Sequence, residues 1–330
     1  MKFSLRLNND HPVSTYIELA QIAEEAGFDQ IWVSDDLFLR SAPVILTAMA
    51  VHTKRIEIGT CILNPYTINP AEIAMLAATL DEVSGGRFNL GLSSGASDFL
   101  RWVGIEQSKP LTAIRETITV INQLLSGERA PHEGHFINWS NEAYLRFKPT
   151  RRVPIYLGAM SPKMLATIGE LADGGLPLLF PPEHYATIKP IIDGGIEKAG
   201  RKADAVDIAA CIWCSVAQDQ DTALDVLREK VAYYGHAMSP MILDQLGLKR
   251  EDFSEIEHAI MVERNLAKAK SLVTNDMLKI GVAGTVDNLI TRLEGIVAMG
   301  AQHLSFGPPL GPNLGDAIRS IGKHVIPHFK

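Results

Sequence analysis

Near its end the chain reads His303-Leu304-Ser305-Phe306-Gly307-Pro308-Pro309-Leu310-Gly311-Pro312-Asn313, and a helical pattern over 314–326 follows. The apolar strand stops after Phe306, because a run of Gly and Pro favours neither strand nor helix until Asn313 offers a helix cap. Such an ending, after a long series of strand–helix units, is typical of a barrel that closes on itself. In such barrels the loops at the carboxyl ends of the strands hold the chemistry.

Working back from this end, apolar strand patterns alternate with helical patterns along the whole chain. The eight predicted strands cover 3–7, 30–33, 56–63, 88–92, 155–157, 176–180, 206–216 and 303–306. The helices that follow them in turn cover 13–26, 42–52, 71–83, 111–125, 162–172, 183–199, 219–234 and 314–326. Eight such units predict a parallel sheet closed by crossover helices, which is an α/β fold of the (β/α)8 or TIM-barrel class.

Two segments interrupt the repeat. Residues 130–148 carry Gly, Asn and aromatic residues and predict a small insertion of extended chain. Residues 235–280 have Met and Leu at helical spacing and predict a helical excursion, for which a lid or dimer contact is favoured over a cofactor site. A further helix is expected after Gly284, with Thr285 as its cap. Because no linker or low-complexity tract divides the chain, residues 1–330 are expected to form a single domain.

Composition excludes several classes of function. The 330 residues are 46% hydrophobic and carry a formal net charge of −7, which gives no case for binding nucleic acid or an anionic membrane. No apolar run approaches the roughly 20 residues that a membrane span needs, and no leader pattern is present, so a cytoplasmic protein is expected. Cys61, Cys211 and Cys214 are best interpreted as core thiols rather than a redox or metal pair.

Two adjacent carboxylates, Asp35 and Asp36, follow the second predicted strand. At the end of a barrel strand, such a pair is suited to acid or base catalysis or to orienting a substrate. The alternative interpretation is structural, with one carboxylate capping the next helix or pairing with Arg40. In the catalytic interpretation, Asp36 is the acid, the base or the substrate-orienting group, and Asp35 supports it.

Three further loops are rich in small residues. Cys61-Ile62-Leu63-Asn64 ends the third strand, and from the residues alone a plain strand end is favoured over a surface for a ring. Ser93-Ser94-Gly95-Ala96 lets a ligand approach the backbone, but it lacks the pattern of a P-loop or a Rossmann fingerprint. In Gly158-Ala159-Met160-Ser161-Pro162-Lys163, we expect Ser161 to cap a helix. A phosphate site at its amino end, with Lys163, is favoured over an ordinary capped helix. No spacing of His, Cys or carboxylates predicts a metal site.

Several motifs, taken together, resemble the luciferase-like (β/α)8 flavin superfamily. They are Gly27-Phe28-Asp29, Trp32-Val33-Ser34-Asp35, Asn64-Pro65-Tyr66-Thr67, Asn69-Pro70-Ala71, Thr79-Leu80-Asp81-Glu82-Val83-Ser84-Gly85-Gly86-Arg87, Gly158-Ala159-Met160-Ser161-Pro162-Lys163 and Phe306-Gly307-Pro308-Pro309-Leu310-Gly311-Pro312. They span almost the whole chain in the family's order. Within the superfamily, the chain is most similar to the branch of methylenetetrahydromethanopterin reductase and its coenzyme F420-dependent relatives.

The resemblance implies a cofactor, coenzyme F420 or alternatively FMN, at the carboxyl-terminal mouth of the barrel, with a small-molecule substrate against its ring. It implies a non-prolyl cis peptide bond at Cys61-Ile62 behind the ring, with Asn64 close by. The ring and its side chain would be lined by Ser93, Ser94, Gly95 and Ala96, and the phosphate would be held by Gly158, Ala159, Met160, Ser161 and Lys163. Candidates for meeting the acidic tail of F420 are Lys163, Arg101 and Arg151. The family also implies a homodimer.

The chain departs from the family's common pattern at two places. It has Asp35-Asp36 where members commonly show Asp-His, and Ile68-Asn69-Pro70 where they often show Arg-His-Pro. Three hypotheses follow, namely hydride transfer between F420 and an organic substrate, an FMN-dependent monooxygenase or reductase, and a cofactor-free barrel without enzymatic activity. The first is favoured, with Asp36 as the acid/base or substrate-orienting group. The intact small-residue loops at 93–96 and 158–163 argue against the third.

Overall fold

The computed structural model describes residues 1–238 and 240–330. Its strands are β1 (Lys2–Leu7), β2 (Gln30–Val33), β3 (Glu57–Thr60), β4 (Phe88–Leu92), β5 (His132–Glu133), β6 (Asn138–Trp139), β7 (Ile155–Leu157), β8 (Gly174–Gly175), β9 (Asp207–Val216), β10 (Val282–Gly284) and β11 (His303–Leu310). Its helices are α1 (Val13–Glu25), α2 (Ala42–His52), α3 (Pro70–Ser84), α4 (Ser97–Trp102), α5 (Pro110–Ser126), α6 (Pro162–Leu171), α7 (Tyr185–Lys198), α8 (Gln220–Tyr234), α9 (Pro240–Leu246), α10 (Ser254–Met261), α11 (Leu266–Leu272), α12 (Asn275–Leu278), α13 (Val286–Ala298), α14 (Leu314–Ser320) and α15 (Ile326–Phe329).

Eight parallel strands close a barrel. Pairing runs in the order β9, β11, β1, β2, β3, β4, β7 and β8, and β8 pairs again with β9. The first and last strands meet in the register Lys2↔His303 to Leu5↔Phe306, so β11 closes the barrel. The predicted (β/α)8 fold is confirmed. The strand β10, which was not predicted, pairs with the last residues of β9.

The sixth barrel strand lies earlier than predicted. The paired residues are Gly174 and Gly175 rather than 176–180, and only Leu178 from the predicted range forms a bridge, to Cys211. A Cβ atom at Gly174 would lie 2.1 Å from the ring of Tyr156, so a side chain has no room there. Because glycine is depleted in strands, the pattern pointed instead to the apolar run that follows.

Two other strands differ at their carboxyl ends. β3 ends at Thr60 rather than 63, and Leu63 forms a separate bridge to Leu92 after the cis peptide bond Cys61–Ile62. β11 continues past its predicted end at 306 to Leu310, through a register shift between Gly307 and Leu310. Such an irregularity leaves the proline nitrogens outside the ladder, which is why the strand tolerates them.

The two interruptions of the repeat have structures of their own. Residues 130–148 contain the antiparallel hairpin of β5 and β6, which Glu116 on α5 holds by accepting N–H bonds from residues 135–137. Residues 235–280 contain α9 to α12, which form an apolar cluster with Leu227 and Val231 of α8. Thr285 caps α13 and Asn313 caps α14, as predicted. No helix in the described part of the chain combines the length and apolar character needed to cross a membrane.

A polar network closes the amino end of the barrel. Nε2 of His303 lies 2.8 Å from Oγ of Ser4, and Nδ1 lies 3.0 Å from Oδ1 of Asp207. The hydroxyl of Tyr156 and the ammonium of Lys2 donate to Oδ2 of Asp207 at 2.8 and 2.9 Å. Ser4, His303 and Asp207 thus have the contacts of a catalytic triad, but Ser4 and His303 are fully buried at the face where barrels hold stability rather than chemistry. The network is structural.

An aromatic layer fills the barrel interior above this network. The rings of Trp32 and Tyr156 meet edge to face, with centroids 4.9 Å apart. A Cβ at Gly59 would lie 2.3 Å from the Trp32 ring, so glycine is required beside it. Leu176, Ala209 and Cys211 complete the buried cluster, and Cys61 and Ile62 pack against it. This layer forms the floor of the cavity at the carboxyl end.

Candidate active site

A cavity of about 450 Å³ opens at the carboxyl ends of the barrel strands. Its walls come from all eight barrel strands or the loops that follow them, from the start of α5 and α6, and from α8. The lining residues are Arg6, Leu7, Asn8, Ser34, Asp36, Cys61, Ile62, Ser93, Ser94, Gly95, Pro110, Gly158, Ala159, Met160, Ser161, Met164, Leu176, Leu178, Trp213, Lys230 and Pro308. Most of the predicted site residues are therefore brought together, although they are up to 125 positions apart in the sequence (Asp36 to Ser161).

The structure separates the two adjacent carboxylates. Asp36 lines the cavity, and its Oδ2 accepts a 3.3 Å hydrogen bond from Ser34. Burial raises the pKa of Asp36, although Ser34 and the charge of Lys230 oppose that shift. Asp35 lies outside the lining and accepts the N–H of Ala42 at 2.9 Å, so it caps the start of α2. The sequence left open whether one carboxylate caps the next helix or pairs with Arg40. In the structure, Asp35 has the capping role.

The loops after β3 and β4 also contain some residues that line the cavity and others that do not. Cys61 and Ile62 line the cavity through a cis peptide bond, where the family resemblance placed it. Burial raises the pKa of Cys61 to about 12, so its thiol stays neutral. Asn64 does not line the cavity, because its Oδ1 accepts three hydrogen bonds from Tyr66 and Thr67 and holds the turn.

Ser93, Ser94 and Gly95 also line the cavity, whereas Ala96 is the N-cap residue of the unpredicted helix α4 and lies outside it. The side chain of Gln107 donates to the backbone carbonyls of Ser94 and Gly95 at 2.7 and 2.9 Å. The backbone of this loop is thereby held in place at the cavity wall.

The loop after β7 lines the cavity from Gly158 to Ser161, and Lys163 is exposed outside it. Ser161 is the N-cap residue of α6, but its hydroxyl makes no capping hydrogen bond, so the predicted side-chain cap is wrong. The first N–H groups of α6 therefore lack a side-chain acceptor at the cavity edge.

The basic residues considered for an acidic cofactor tail do not converge. Arg151 is bound to Asp81 at 2.8 Å and to the carbonyl of Phe88, at the amino end of β4 and away from the cavity. Arg101 forms an exposed ion pair with Asp98 within α4. Of the three candidates, only Lys163 is next to a cavity-lining segment and free of such a pair among the described residues.

Sequence reasoning missed Arg6, Trp213 and Lys230. Arg6 had a signal, since a charged residue inside the apolar pattern of the first strand calls for an explanation. Lys230 had none, because it stands among other charged residues of an ordinary amphipathic helix. Only the approach of α8 to the barrel mouth places it in the cavity.

Comparisons with known proteins agree with this geometry. The sequence model of the family described as luciferase-like monooxygenase matches residues 1–303. A 5,10-methylenetetrahydromethanopterin reductase from Archaeoglobus fulgidus is 34% identical, and the match covers 100% of both chains. An F420-dependent glucose-6-phosphate dehydrogenase from Microbacterium testaceum is 29% identical over 95% of this chain and 93% of its own.

The same architecture is found in a solved structure. The coenzyme F420-dependent tetrahydromethanopterin reductase from Methanopyrus kandleri matches with a TM-score of 0.93 and 31% identity, over 100% of this chain and 99% of that chain. The barrel, the cavity at its mouth and the family match over residues 1–303 lead to one conclusion. This chain belongs to the luciferase-like monooxygenase family.

Proposed function

We propose that this chain is a coenzyme F420-dependent oxidoreductase that transfers a hydride between the deazaflavin and an organic substrate. The observation that carries the proposal is the full-length likeness to the reductase of Methanopyrus kandleri, which is named as F420-dependent. The cofactor, when bound, supplies the hydride chemistry, and the protein supplies position and electrostatics.

The cavity has the volume for a small-molecule ring. Its volume of about 450 Å³ is in the range of small-molecule sites. Gly158 contributes to this space, since a Cβ there would lie only 3.2 Å from Cγ2 of Ile62 and 3.3 Å from Cβ of Ser93. Backbone without side chains thus leaves a gap between the loops after β3, β4 and β7.

The amino end of α6 fits a phosphate. Its first-turn N–H groups have no side-chain cap, and a helix amino end carries a partial positive charge that favours anions. Ser161 and Lys163 are both exposed there and can donate to phosphate oxygens. Ala159 and Met160 continue this edge into the cavity.

Asp36 is the residue we assign to acid/base work or to orienting the substrate. Among the described residues that line the cavity, no other side chain is a carboxylate. The raised pKa of Asp36 brings it nearer to the pH at which a proton is exchanged efficiently. Asp35 supports it by fixing the turn between β2 and α2.

Titration of the purified protein with F420, and separately with FMN, tests the cofactor assignment. We expect F420 to bind at micromolar concentration or tighter, as measured from the change in its fluorescence. Gly158→Val should weaken this binding, because the valine side chain fills the gap beside Ile62. Tight binding of FMN alone would move the function to a flavin reductase or monooxygenase. Binding of neither at tens of micromolar, about −6 kcal/mol, would leave the cofactor-free barrel.

If F420 binds, the substrate named for the Archaeoglobus relative, methylenetetrahydromethanopterin, is the first to be tried with the loaded enzyme, followed by other imines and by alcohols. Consumption is read from the absorbance of the deazaflavin. We also place the protein in the cytoplasm, in keeping with its three free cysteines.

We further propose a homodimer formed through the surface of α2, α3, α4 and the loop before α2. Half or more of each of six large apolar side chains is exposed there, namely Phe38, Leu39, Val44, Val51, Met75 and Trp102. Apolar patches of this kind mark protein contacts. We expect light scattering to give twice the chain mass and Val51→Lys to shift the protein towards monomer, whereas a monomeric wild type would contradict the proposal.

A further inference from the structure

Two basic side chains in the cavity have no assigned part in the proposed hydride transfer. Arg6 extends from β1, and Lys230 extends from α8. Neither forms an ion pair with any residue in 1–238 or 240–330. Arg6 is buried and Lys230 is partly buried. Because a cation held away from water without a carboxylate partner is costly, the pair calls for a ligand that supplies negative charge.

Arg6 is built into the wall. Only 6% of the residue is exposed, and its Nη2 donates a 2.7 Å hydrogen bond to the carbonyl of Ile212. Its Nε is buried and has no acceptor among the described atoms. Gly307 makes room for the guanidinium, since a Cβ at that position would lie 2.2 Å from Nη2. The side chain is therefore fixed at the cavity with donor capacity left over.

Lys230 is held by aromatic rings rather than by carboxylates. Its Nζ lies 3.9 Å from the ring centroid of Tyr234 and 5.4 Å from that of Trp213. The pKa of Lys230 is lowered to about 8, chiefly by burial and also by the charge of Arg6, while the charges of Asp10 and Asp36 oppose the shift. The ammonium thus faces the cavity with three donors and no acceptor in the described part of the chain.

The charge of the cavity contrasts with that of the whole protein. The lining contains two cations, Arg6 and Lys230, and one carboxylate, Asp36, in a chain of net charge −7. Burial raises the pKa of Asp36, which weakens its ability to balance both cations. The positive excess is therefore confined to the place where a substrate would bind.

We propose that Arg6 and Lys230 bind an anionic group of the substrate, a carboxylate or a phosphate, and so restrict the enzyme to anionic substrates. This inference rests on the proposed function for its biological meaning, but the anion site itself is testable without turnover. The expected phosphate of the cofactor belongs to α6, on a different loop, so the two anions do not compete for the same residues.

The test is calorimetric titration of the F420-loaded protein with inorganic phosphate and, separately, with acetate at pH 7. Loading with F420 is intended to occupy the α6 site, so that the added anion reports on the rest of the cavity. We expect at least one anion to bind, and Lys230→Met to weaken its binding about tenfold, as expected for losing one charge-assisted hydrogen bond. Binding of phosphate alone or of acetate alone would identify which anion the substrate carries.

Matched variants keep the result interpretable. Lys230→Arg is expected to retain binding, and Lys202→Met, at an exposed lysine before β9, is expected to leave it unchanged. In the wild type, anion binding should weaken as the pH rises through about 8, where Lys230 loses its proton, and this change should vanish in Lys230→Met. The groups facing Lys230 that also contribute are Arg6, Asp10, Asp36 and Tyr234.

Failure of both anions to bind, or equal binding by Lys230→Met, would overturn the inference. Parallel F420 titration separates the two proposals. If F420 does not bind, but the apoprotein still binds an anion in a way that depends on Lys230, the cofactor assignment is refuted. The anion site then stands on its own.

Discussion

Asp36→Asn is expected to lower kcat by about 10²–10⁴-fold while F420 affinity changes little. The range is that of a positioned general acid or base. Asparagine keeps the shape and accepts from Ser34, but it cannot exchange a proton. The measurement is steady-state turnover of the F420-loaded enzyme with the substrate found in the screen, together with F420 titration of the same variant.

Two other carboxylates serve as controls for the Asp36→Asn variant. Asp35→Asn keeps a capping acceptor for Ala42 and removes a charge of the same sign, so a loss below tenfold is expected. Asp98→Asn, in an exposed pair with Arg101, should behave as the wild type. If Asp36 donates a proton, turnover falls as the pH rises through its raised pKa. Equal losses in Asp35→Asn and Asp36→Asn would contradict the division between the two residues.

Asp207→Asn is expected to lower the free energy of unfolding by about 2 kcal/mol at pH 7, in the range for losing hydrogen bonds to a charged group. His303 is buried and loses its charged partner, and Lys2 and Tyr156 lose a carboxylate acceptor. The measurement is urea unfolding followed by circular dichroism.

The pH dependence of this effect has a fixed sign. Burial by itself would raise the pKa of Asp207, but the hydrogen bond and charge of His303, followed by Lys2, hold it well below its usual range. The contribution is therefore complete above the unfolded value of about 4 and is lost as the pH falls below it. Wild type and variant should converge in acid.

A surface pair provides the control for that experiment. Asp193→Asn removes a partner of Lys189 in an exposed pair four residues apart on α7, and a change below about 0.5 kcal/mol is expected. A constant difference between wild type and Asp207→Asn from pH 7 to pH 3 would show that the carboxylate charge is not what stabilises the network.

The sequence predicted much of the candidate site because the barrel brings every strand's carboxyl end to one mouth. Asp36, the Cys61–Ile62 segment, Ser93 to Gly95 and Gly158 to Ser161 each follow a barrel strand, and all line the cavity. Their functional roles stay predictions. Asn64, Ala96, Lys163 and Asp35 follow strands as well, but they lie outside the lining, because local turns and helix starts direct them elsewhere.

The sequence by itself determined the alternation of barrel strands with crossover helices, the closure of the barrel by its last strand and the loops that carry the site. These depend on hydrophobic period and turn chemistry, which are local properties of the chain. Only the tertiary structure decided that Gly174 replaces the apolar run as a barrel strand, and that Arg6 and Lys230 share a cavity. Those outcomes depend on the space around Tyr156 and on the approach of α8, which are contacts between residues far apart in sequence.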